Sequence, residues 1–436
     1  MRNMIRISFY LDNASLFETN WQNVMNGNPG VGGTEYEIVL LAYTLTKKSQ
    51  YDVTLFAHYV ENFPSIIHVK KVNNIRDAIN YAEQVNITYL IFKENPRWIK
   101  EHFLDGNIKT VKLIPWCHNY LQPKSLDFYA EMSNIASVIC VGREQADLYR
   151  DHKLFNKIDY IYNGFPIKNI SYRDSLPAKD RQNIVTYMGS ITRSKGFHIL
   201  AKAWPIILKS IKDAQLYVIG SGRVYDDNRL LGKYNIADEA YEKEFMKYLT
   251  DSNGNILPSV HFMGRMGTEK VEIIKKTKVG VTNPSGETET FGIGVIEFEI
   301  MGCEVVTRYC CGHLDTVYNH RNMYKSHKSK TLAKFICRAL NNPSSDSLKV
   351  YQYIQNHFSI EHTTTEWEKL FTALENGNNK IHDFNKNIPN MTFRWKWFRI
   401  IYSYINQICD YRLPSMTHMN ENKISKKIRW ITSKRY

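Results

Sequence analysis

The sequence predicts an α/β fold in which two doubly wound parallel sheets face a cleft, followed by a basic helical tail. Strand-like and helical segments alternate along the first part of the chain, which is typical of a parallel sheet covered on both faces. A polar stretch with prolines at about 165–182 interrupts the alternation, and a second alternating series follows it. The length of 436 residues suits two or three domains. A composition with 43% hydrophobic and 23% charged residues excludes disordered, collagenous and disulfide-scaffold proteins.

We predict a first domain at 1–170, built on five short apolar strands with helices between them. The first helix, at 34–47, places Ile38, Leu41, Ala42 and Leu45 on one face, at the spacing of an amphipathic helix. The predicted strands are Ile5–Tyr10, Val53–Ala57, Tyr89–Phe92, Val111–Trp116 and Val138–Val141.

A linker is predicted at 171–182, a second domain at 183–357 and a closing helix at 358–375. The helix after the first strand of this domain is strongly amphipathic, from Phe197 to Ile211. Ligands of doubly wound sheets bind beyond the carboxyl ends of the strands, so we expect the site in the cleft. The predicted strands are Ile184–Met188, Gln215–Ile219, Val260–Met263, Val279–Thr282 and Glu304–Thr307.

The remaining segment, 376–436, is predicted to be a basic amphipathic tail. The chain carries a net charge of +14, and residues 391–436 alone carry +8. An apolar stripe at helical spacing among these basic residues favours an interfacial helix on anionic lipid. The alternative is that the stripe packs on the N-terminal domain. The stripe consists of Phe393, Trp397, Ile400, Ile401, Tyr404 and Ile408.

Several function classes are disfavoured. No run approaches the roughly 18 uncharged apolar residues of a membrane-spanning helix, and the start of the chain shows no secretion signal. The seven cysteines form no Cys-x-x-Cys pair, which fits a reducing compartment and argues against a zinc knuckle. We therefore expect a cytoplasmic protein, peripheral on the inner face of the membrane, without a metal or other cofactor and without a nucleic-acid partner.

The segment 283–302 has the most specific pattern. A predicted strand runs into a Pro/Ser/Gly loop, and a helix is expected from about Gly292 to Gly302, so the amides of Thr290, Phe291 and Gly292 would form an anion site. Glu289 and Glu297 flank this site. Carboxylates beside an anion suit hydroxyl groups on either side of it, which is the layout of a nucleotide sugar. The alternative is that Glu287 and Glu289 only favour a helix N-terminus.

Three other segments could join this site. Arg193 and Lys195 precede an amphipathic helix, where a phosphate would relieve their repulsion by the helix dipole; the alternative is a solvated lysine. Near the start of the chain, the loop around Gly32 and Gly33 allows close backbone approach, with Thr34 and Glu37 predicted as a capping box, or it is simply a tight turn. His118, at the end of a strand, lies where cleft residues belong, although a single histidine is more often structural.

In this order, the segments resemble the large retaining family-4 glycosyltransferases, among the glycosyl transferases of group 1, over roughly residues 5–375. That resemblance implies the GT-B fold, with two Rossmann-like domains facing a cleft. The motifs that carry it are Gly32 to Glu35, His118, Asn163-Gly164, Gly189 to Gly196, Val260 to Gly264, and Glu289-x7-Glu297 followed by Gly302-x-x-Val305-Val306.

The resemblance also implies roles for single residues. Glu289 would contact hydroxyls of the donor sugar, Glu297 the ribose and Lys195 the diphosphate. His118 would lie beside the sugar, and the loop with Gly32 and Gly33 would approach the phosphates or the acceptor. Catalytic roles thus fall to His118, Glu289 and Lys195. Further donor contacts are expected from Ser190, Arg193, Gly264, Thr290, Phe291 and Gly292.

The sequence departs from the family pattern at two places. Ser190 stands where the family usually has an arginine, and Arg193 is a candidate to supply the missing charge. The proline usually found before the Val-Val pair is Glu304, and the glycine-rich stretch that follows is reduced to Cys311-Gly312, with Asp315 as a possible acidic partner.

From this reasoning we expect transfer of a sugar from a nucleotide sugar to a saccharide or lipid-linked hydroxyl acceptor with retention, in surface polysaccharide or glycolipid synthesis. Lys195 and a helix N-terminus would stabilise the leaving diphosphate without metal. The alternatives are a sugar-nucleotide epimerase or phosphorylase on the same fold, and a basic lipid- or nucleic-acid-binding protein with vestigial catalytic domains.

Overall fold

The predicted fold is confirmed: two parallel sheets, each covered by helices, face one another. The structure, a computed structural model, describes residues 4–101, 108–167, 170, 172–223 and 230–421. The last part of the predicted tail, 422–436, lies outside the described residues and includes Trp430 and the basic residues from Lys423 onward.

The first sheet has seven strands in the order β3-β2-β1-β4-β5-β6-β7, all parallel. The edge strands β3 and β7 were missing from the sequence prediction. The elements are β1 (Ile5–Leu11), α1 (Gly33–Thr46), β2 (Tyr51–Ala57), β3 (His68–Lys71), α2 (Ile75–Gln84), β4 (Tyr89–Lys93), α3 (Pro96–Lys100), β5 (Lys112–Cys117), α4 (Pro123–Glu131), β6 (Val138–Cys140), α5 (Arg143–Ala146) and β7 (Ile158–Tyr160).

The second sheet has five parallel strands in the order β10-β9-β8-β11-β12. The predicted strand at 304–307 is shorter, because Thr307 already belongs to a separate two-stranded sheet, β13-β14. The elements are β8 (Ile184–Met188), α6 (Phe197–Ser210), β9 (Gln215–Ile219), α7 (Glu239–Met246), β10 (Val260–Gly264), α8 (Val271–Lys276), β11 (Val279–Val281), α9 (Ile293–Ile300), β12 (Glu304–Val305), β13 (Thr307–Arg308), α10 (Cys311–Thr316), β14 (Met323–Tyr324), α11 (Ser329–Asn341) and α12 (Ser347–Phe358).

After the second sheet the chain returns to the first domain. Helix α13 (Ile360–Glu375) packs on α1, and its Trp367 is fully buried with its ring centroid 5.1 Å from that of Trp116 on β5. Gly164 lies at the crossing point, where a side chain would meet the backbone of Ile360 at 3.0 Å. The core of the first domain is therefore completed by residues from the far end of the chain.

The described tail contains α14 (Lys396–Ile408) and α15 (Met416–Glu421). The segment before α14 is bound to the first domain, since the His382 side chain lies 2.9 Å from the carboxylate of Asp159 and stacks on Tyr160. Among the described helices, none combines the length and apolar character needed to cross a bilayer.

Candidate functional site

A cavity of about 470 Å³ lies between the two domains, at the carboxyl ends of strands from both sheets. Its lining includes Lys93 and Met188, the last residues of β4 and β8, and His118, Gly220 and Thr282, which directly follow β5, β9 and β11. Parallel strands converge at this edge, so side chains distant in sequence meet there. The cavity therefore occupies the place that the sequence predicts for a ligand.

All but two of the predicted site residues line this cavity, and Arg193 and Gly264 do not. Arg193 points away, because its guanidinium pairs with Glu244 and lies over the ring of Tyr241. The expectation that Arg193 replaces the missing family arginine is therefore wrong. The predicted residues that line the cavity are Gly32, Gly33, His118, Ser190, Lys195, Glu289, Thr290, Phe291, Gly292 and Glu297.

The loop at 283–292 is held in a specific, partly strained shape. Asn283 and Thr288 have positive φ angles of 37° and 54°, which non-glycine residues rarely adopt. The Ser285 hydroxyl donates to the carbonyl of Ser194, which ties this loop to the one that carries Lys195. At Gly292, where φ is 91°, a side chain would meet the ring of His313 at 2.8 Å, so the start of α9 requires glycine.

Glu289 is ionised and paired across the two loops. The Lys195 Nζ atom lies 3.0 Å from its carboxylate, and the Asn283 amide donates to the same carboxylate at 2.9 Å. Burial alone would raise the pKa of Glu289, but the charges of Lys195 and His313 and these hydrogen bonds outweigh it and hold the pKa at about 2. The site therefore presents a fixed acceptor beside a cation.

Glu297 forms a second ion pair at the other end of the lining. Its carboxylate lies 2.8 Å from Nζ of Lys270, a residue that the sequence reasoning missed. The signal in the sequence was weak, because Lys270 follows the Val260 to Gly264 motif in a loop and a short turn. The two carboxylates thus each have a lysine, and both pairs lie against the cavity.

His118 is neutral at physiological pH. Burial, together with the charge of Lys93, lowers the pKa of His118 to about 3, against smaller opposing effects of Trp116 and Asn163. Neither its ring nitrogens nor the buried hydroxyl of Ser190 has a hydrogen-bond partner of ordinary geometry among the described residues. Buried polar groups are nearly always paired, so these orphaned groups indicate a polar ligand.

Two contacts connect the domains at this point. The Thr290 hydroxyl donates to the carbonyl of His118 at 2.6 Å, and the Tyr120 hydroxyl donates to the carbonyl of Glu289 at 2.9 Å. On the opposite side, the guanidinium of Arg265 donates to the carbonyl of Gly30. Arg265 lines the cavity and was also missed by the sequence reasoning.

The predicted capping box of α1 is wrong. The helix begins at Gly33, with Gly32 as its N-cap, and the Thr34 side chain makes no cap bond. Glu37 is instead fully buried, where its carboxylate accepts from the Gly164 amide at 3.0 Å. Burial raises the pKa of Glu37 well above its usual value. Glu37 thus connects the first loop to the crossing point of the chain.

Asp315, the possible acidic partner, lies outside the cavity lining. Its carboxylate accepts from the Glu144 amide at 3.0 Å and from the Tyr162 hydroxyl at 3.2 Å. One group in the described residues has side chains close enough to share a metal ion: Asp127, His152 and His418. Asp127 lies on α4 and His418 lies in the tail. The backbone amide of Leu154 donates to Nδ1 of His152, so the neutral ring carries its proton on Nε2, which is the nitrogen that a metal would need.

Comparison with known proteins agrees with this geometry. Residues 169–357 match the family model of glycosyl transferases group 1, a segment that carries Ser190, Lys195, Glu289 and Glu297. A search of curated protein sequences finds no match.

Solved structures share the fold. The HepE protein of Anabaena, crystallised with UDP and glucose, is 13% identical with a TM-score of 0.59, over 85% of this chain and 100% of that one. Sucrose-phosphate synthase of Thermosynechococcus elongatus is 16% identical with a TM-score of 0.65, over 86% and 100%. Trehalose 6-phosphate synthase of Burkholderia multivorans is 10% identical with a TM-score of 0.61, over 86% and 98%. The chain therefore has the GT-B fold.

Proposed function

We propose that this protein is a glycosyltransferase that moves a sugar from a nucleotide-sugar donor to a hydroxyl acceptor. The observation that carries the proposal is the cavity wall in which Lys195 and Glu289 are paired beside the buried hydroxyl of Ser190 and the neutral ring of His118. A cation flanked by hydroxyl acceptors suits a diphosphate with a carbohydrate next to it. The match of residues 169–357 to group 1 glycosyl transferases and the UDP and glucose bound by HepE support the same donor class.

Lys195 would stabilise the departing nucleoside diphosphate. Negative charge develops on the diphosphate as the glycosidic bond breaks, and donors already in place stabilise that charge without reorganisation. An ammonium group has three hydrogens, so Lys195 keeps its bond to Glu289 while it donates to a phosphate oxygen. Residues Thr290 to Gly292, which directly precede α9, and Ser190 line the same cavity.

The carboxylates of Glu289 and Glu297 would accept hydrogen bonds from hydroxyl groups of the donor. Glu289, with a pKa of about 2, stays an acceptor at any physiological pH and suits the sugar hydroxyls. Glu297 suits the ribose, with Lys270 holding its carboxylate in position. His118 is neutral, so it offers one donor and one acceptor to the sugar rather than a charge.

The finer features of the reaction are also proposals. We propose retention at the anomeric carbon, with a donor phosphate oxygen taking the proton of the acceptor hydroxyl, so that no protein base and no metal is required. Contacts across the cleft from Thr290, Tyr120 and Arg265 would exclude water and limit hydrolysis of the donor. We further propose a role in surface polysaccharide or glycolipid synthesis, with the protein peripheral on the inner face of a membrane.

A binding experiment followed by product analysis tests the proposal. A donor that binds the folded state raises the melting temperature, so a panel of nucleoside diphosphates and nucleotide sugars identifies the base and the sugar. With the best donor, transfer to an added saccharide or lipid-linked acceptor is then measured by mass spectrometry. Release of an altered sugar nucleotide without acceptor, or a requirement for free phosphate, would contradict transfer, and so would the absence of any stabilising nucleotide.

A further inference from the structure

Helix α14 presents its apolar face to solvent and its polar face to the protein, which reverses the usual arrangement of a surface helix. Lys396, Arg399, Ser403 and Asn406, at helical spacing, are buried against the N-terminal domain. The predicted stripe lies mostly on the opposite face, with only Phe393 buried. The alternative that the stripe packs on the N-terminal domain is therefore wrong. The exposed large side chains on this helix are Trp397, Phe398, Ile401, Tyr404, Ile405 and Ile408.

Buried charges fix this orientation. The Lys396 Nζ atom lies 2.6 Å from the Glu144 carboxylate and 2.8 Å from that of Asp147, and Arg399 lies 3.2 Å from Asp151. Rotating the helix to bury its apolar face would leave these groups without partners, and breaking a buried ion pair is strongly destabilising. We call these five residues the α14 ion-pair cluster. The cluster holds the apolar face outward.

The exposed face is too large to be incidental. Ile408 is 86% exposed, Tyr404 54% and Ile401 51%, and Trp395 before the helix is 65% exposed. Large contiguous apolar patches on soluble proteins mark surfaces that contact a membrane or another protein. The free energy gained by removing apolar side chains from water grows with the area removed, so covering this face would be strongly favourable.

We propose that this face of α14 docks on an anionic lipid surface. The positive charge of the sequence after α14 favours anionic lipid, rather than a second copy of the chain, as the partner of this face. Residues 422–436 contain six Lys/Arg and no Asp or Glu. Basic residues are attracted to an anionic leaflet, whereas two copies of a chain with this charge repel one another. Tryptophan and tyrosine, present on the face, are the aromatic residues preferred at the lipid–water boundary.

The docked helix lies close to the candidate active site. The guanidinium of Arg394, immediately before α14, lies 5.3 Å from the ring centroid of Tyr120. The Tyr120 hydroxyl in turn donates to the backbone carbonyl of Glu289. Lipid docking would thus bring the cavity to the membrane, which deepens the proposed function by favouring an acceptor carried on a lipid. That last step rests on the proposed function, and the docking itself does not.

Vesicle co-sedimentation of the full chain tests the docking. Vesicles of phosphatidylglycerol and phosphatidylcholine are compared with vesicles of phosphatidylcholine alone, at low and high salt. We expect the wild type to bind the anionic vesicles and the triple variant Ile401→Ser/Tyr404→Ser/Ile408→Ser to bind at least tenfold more weakly. A matched control, Phe17→Ser/Ile66→Ser/Leu176→Ser, changes equally exposed apolar residues elsewhere and should bind like the wild type.

The proposal would be overturned by wild-type binding of the α14 variant, by an equal loss of binding in the control variant, or by a wild-type dimer without vesicles that the α14 variant converts to a monomer. Removal of 422–436 should weaken vesicle binding and reduce its salt dependence, but residual binding through α14 should remain. If this truncation abolishes vesicle binding while the α14 variant still binds, residues 422–436 alone bind the lipid and the proposal fails. The stabilisation by nucleotide should be unchanged in every variant. If no nucleotide stabilises the wild type or any variant, the proposed function is contradicted, and the docking result still stands.

Discussion

Two lysine–carboxylate clusters in this protein use the same chemical groups in different surroundings. In the cavity, the side chains of Lys195 and Glu289 are 20% and 14% exposed, and both residues line the cavity wall. In the α14 ion-pair cluster, the side chains of Lys396 and Glu144 are 3% and 0% exposed, and protein surrounds them. Access to a ligand, rather than the pairing itself, is what distinguishes a candidate active site from a structural contact.

The largest effect is expected from substitutions of the cavity pair, which should slow catalysis. Glu289→Gln and Lys195→Met should each lower turnover by at least about 10²–10³-fold, because each removes a charge that faces the reacting groups. Because the pairing lowers the pKa of Glu289, each variant should also lose some stability, so rates are compared per folded molecule, with the folded fraction taken from thermal unfolding. The measurement is the transfer rate with the donor identified by thermal shift, and a rate within threefold of wild type from either variant would refute the assignment.

The α14 ion-pair cluster should respond in the opposite way. Lys396→Met leaves the buried carboxylates of Glu144 and Asp147 without their cation, so the free energy of unfolding should fall by about 3 kcal/mol. Nucleotide binding by the folded fraction should not change. Urea denaturation gives the stability and titration calorimetry the affinity. An unchanged denaturation midpoint would show that the burial of this cluster is not realised in solution.

A third cluster, around His382, should make the stability of the protein depend on pH. Burial disfavours the charged ring, but Asp159 and Glu366 outweigh this and raise the pKa of His382 from 6.5 to about 9. A raised folded pKa means that the stabilisation is complete below pH 6.5 and is lost as the pH rises through 9. The wild type should therefore lose about 2 kcal/mol more than His382→Asn between pH 6 and pH 9.5 in urea denaturation. Parallel pH profiles of the two proteins would contradict this.

Lys270 should show an intermediate effect within the cavity. It holds the carboxylate of Glu297, which we assign to the ribose rather than to the reacting bond. Lys270→Met should raise the KM for the donor about tenfold and leave kcat nearly unchanged, which is the pattern of lost ground-state binding. A large fall in kcat with unchanged KM would place Lys270 at the reacting centre instead.

The smallest effect is expected at Arg193. Its side chain is 66% exposed in its pair with Glu244, and exposed ion pairs contribute at most about 1 kcal/mol. Arg193→Ala should keep turnover and KM within twofold of wild type and serves as a charge-matched control for Lys195→Met. A large loss of activity would restore Arg193 as a donor residue.

The sequence predicted the sheets better than their edges. Buried strands such as β1 and β8 consist mostly of apolar and β-branched residues and were found nearly to the residue. The edge strand β3, with the sequence His68-Val69-Lys70-Lys71, is half-exposed and basic, so its composition resembles a loop. Its pairing with β2 depends on the neighbouring strand rather than on its own residues.

Spatial relations between loops explain the errors at the site. Lys195 and Glu289 belong to motifs, whereas Arg265 and Lys270 follow β10 in a loop whose direction is set by tertiary packing. For α14, helical spacing identified the stripe but could not show which face turns inward. The sequence of the first domain did contain a signal for the buried face of α14, because the acidic residues Glu144 and Asp147 have the same spacing as the basic residues Lys396 and Arg399.

The return of the chain through α13 has a consequence for biosynthesis. The first domain ends near residue 170, and the helix that covers Trp116 begins about 190 residues later at Ile360, so translation at roughly 5–20 residues per second needs about 10–40 s to supply that helix. During this interval the first sheet leaves the ribosome with an aromatic surface uncovered. The order of synthesis therefore makes the earliest domain the last to finish folding, and a fragment ending at residue 170 would lack part of its own core.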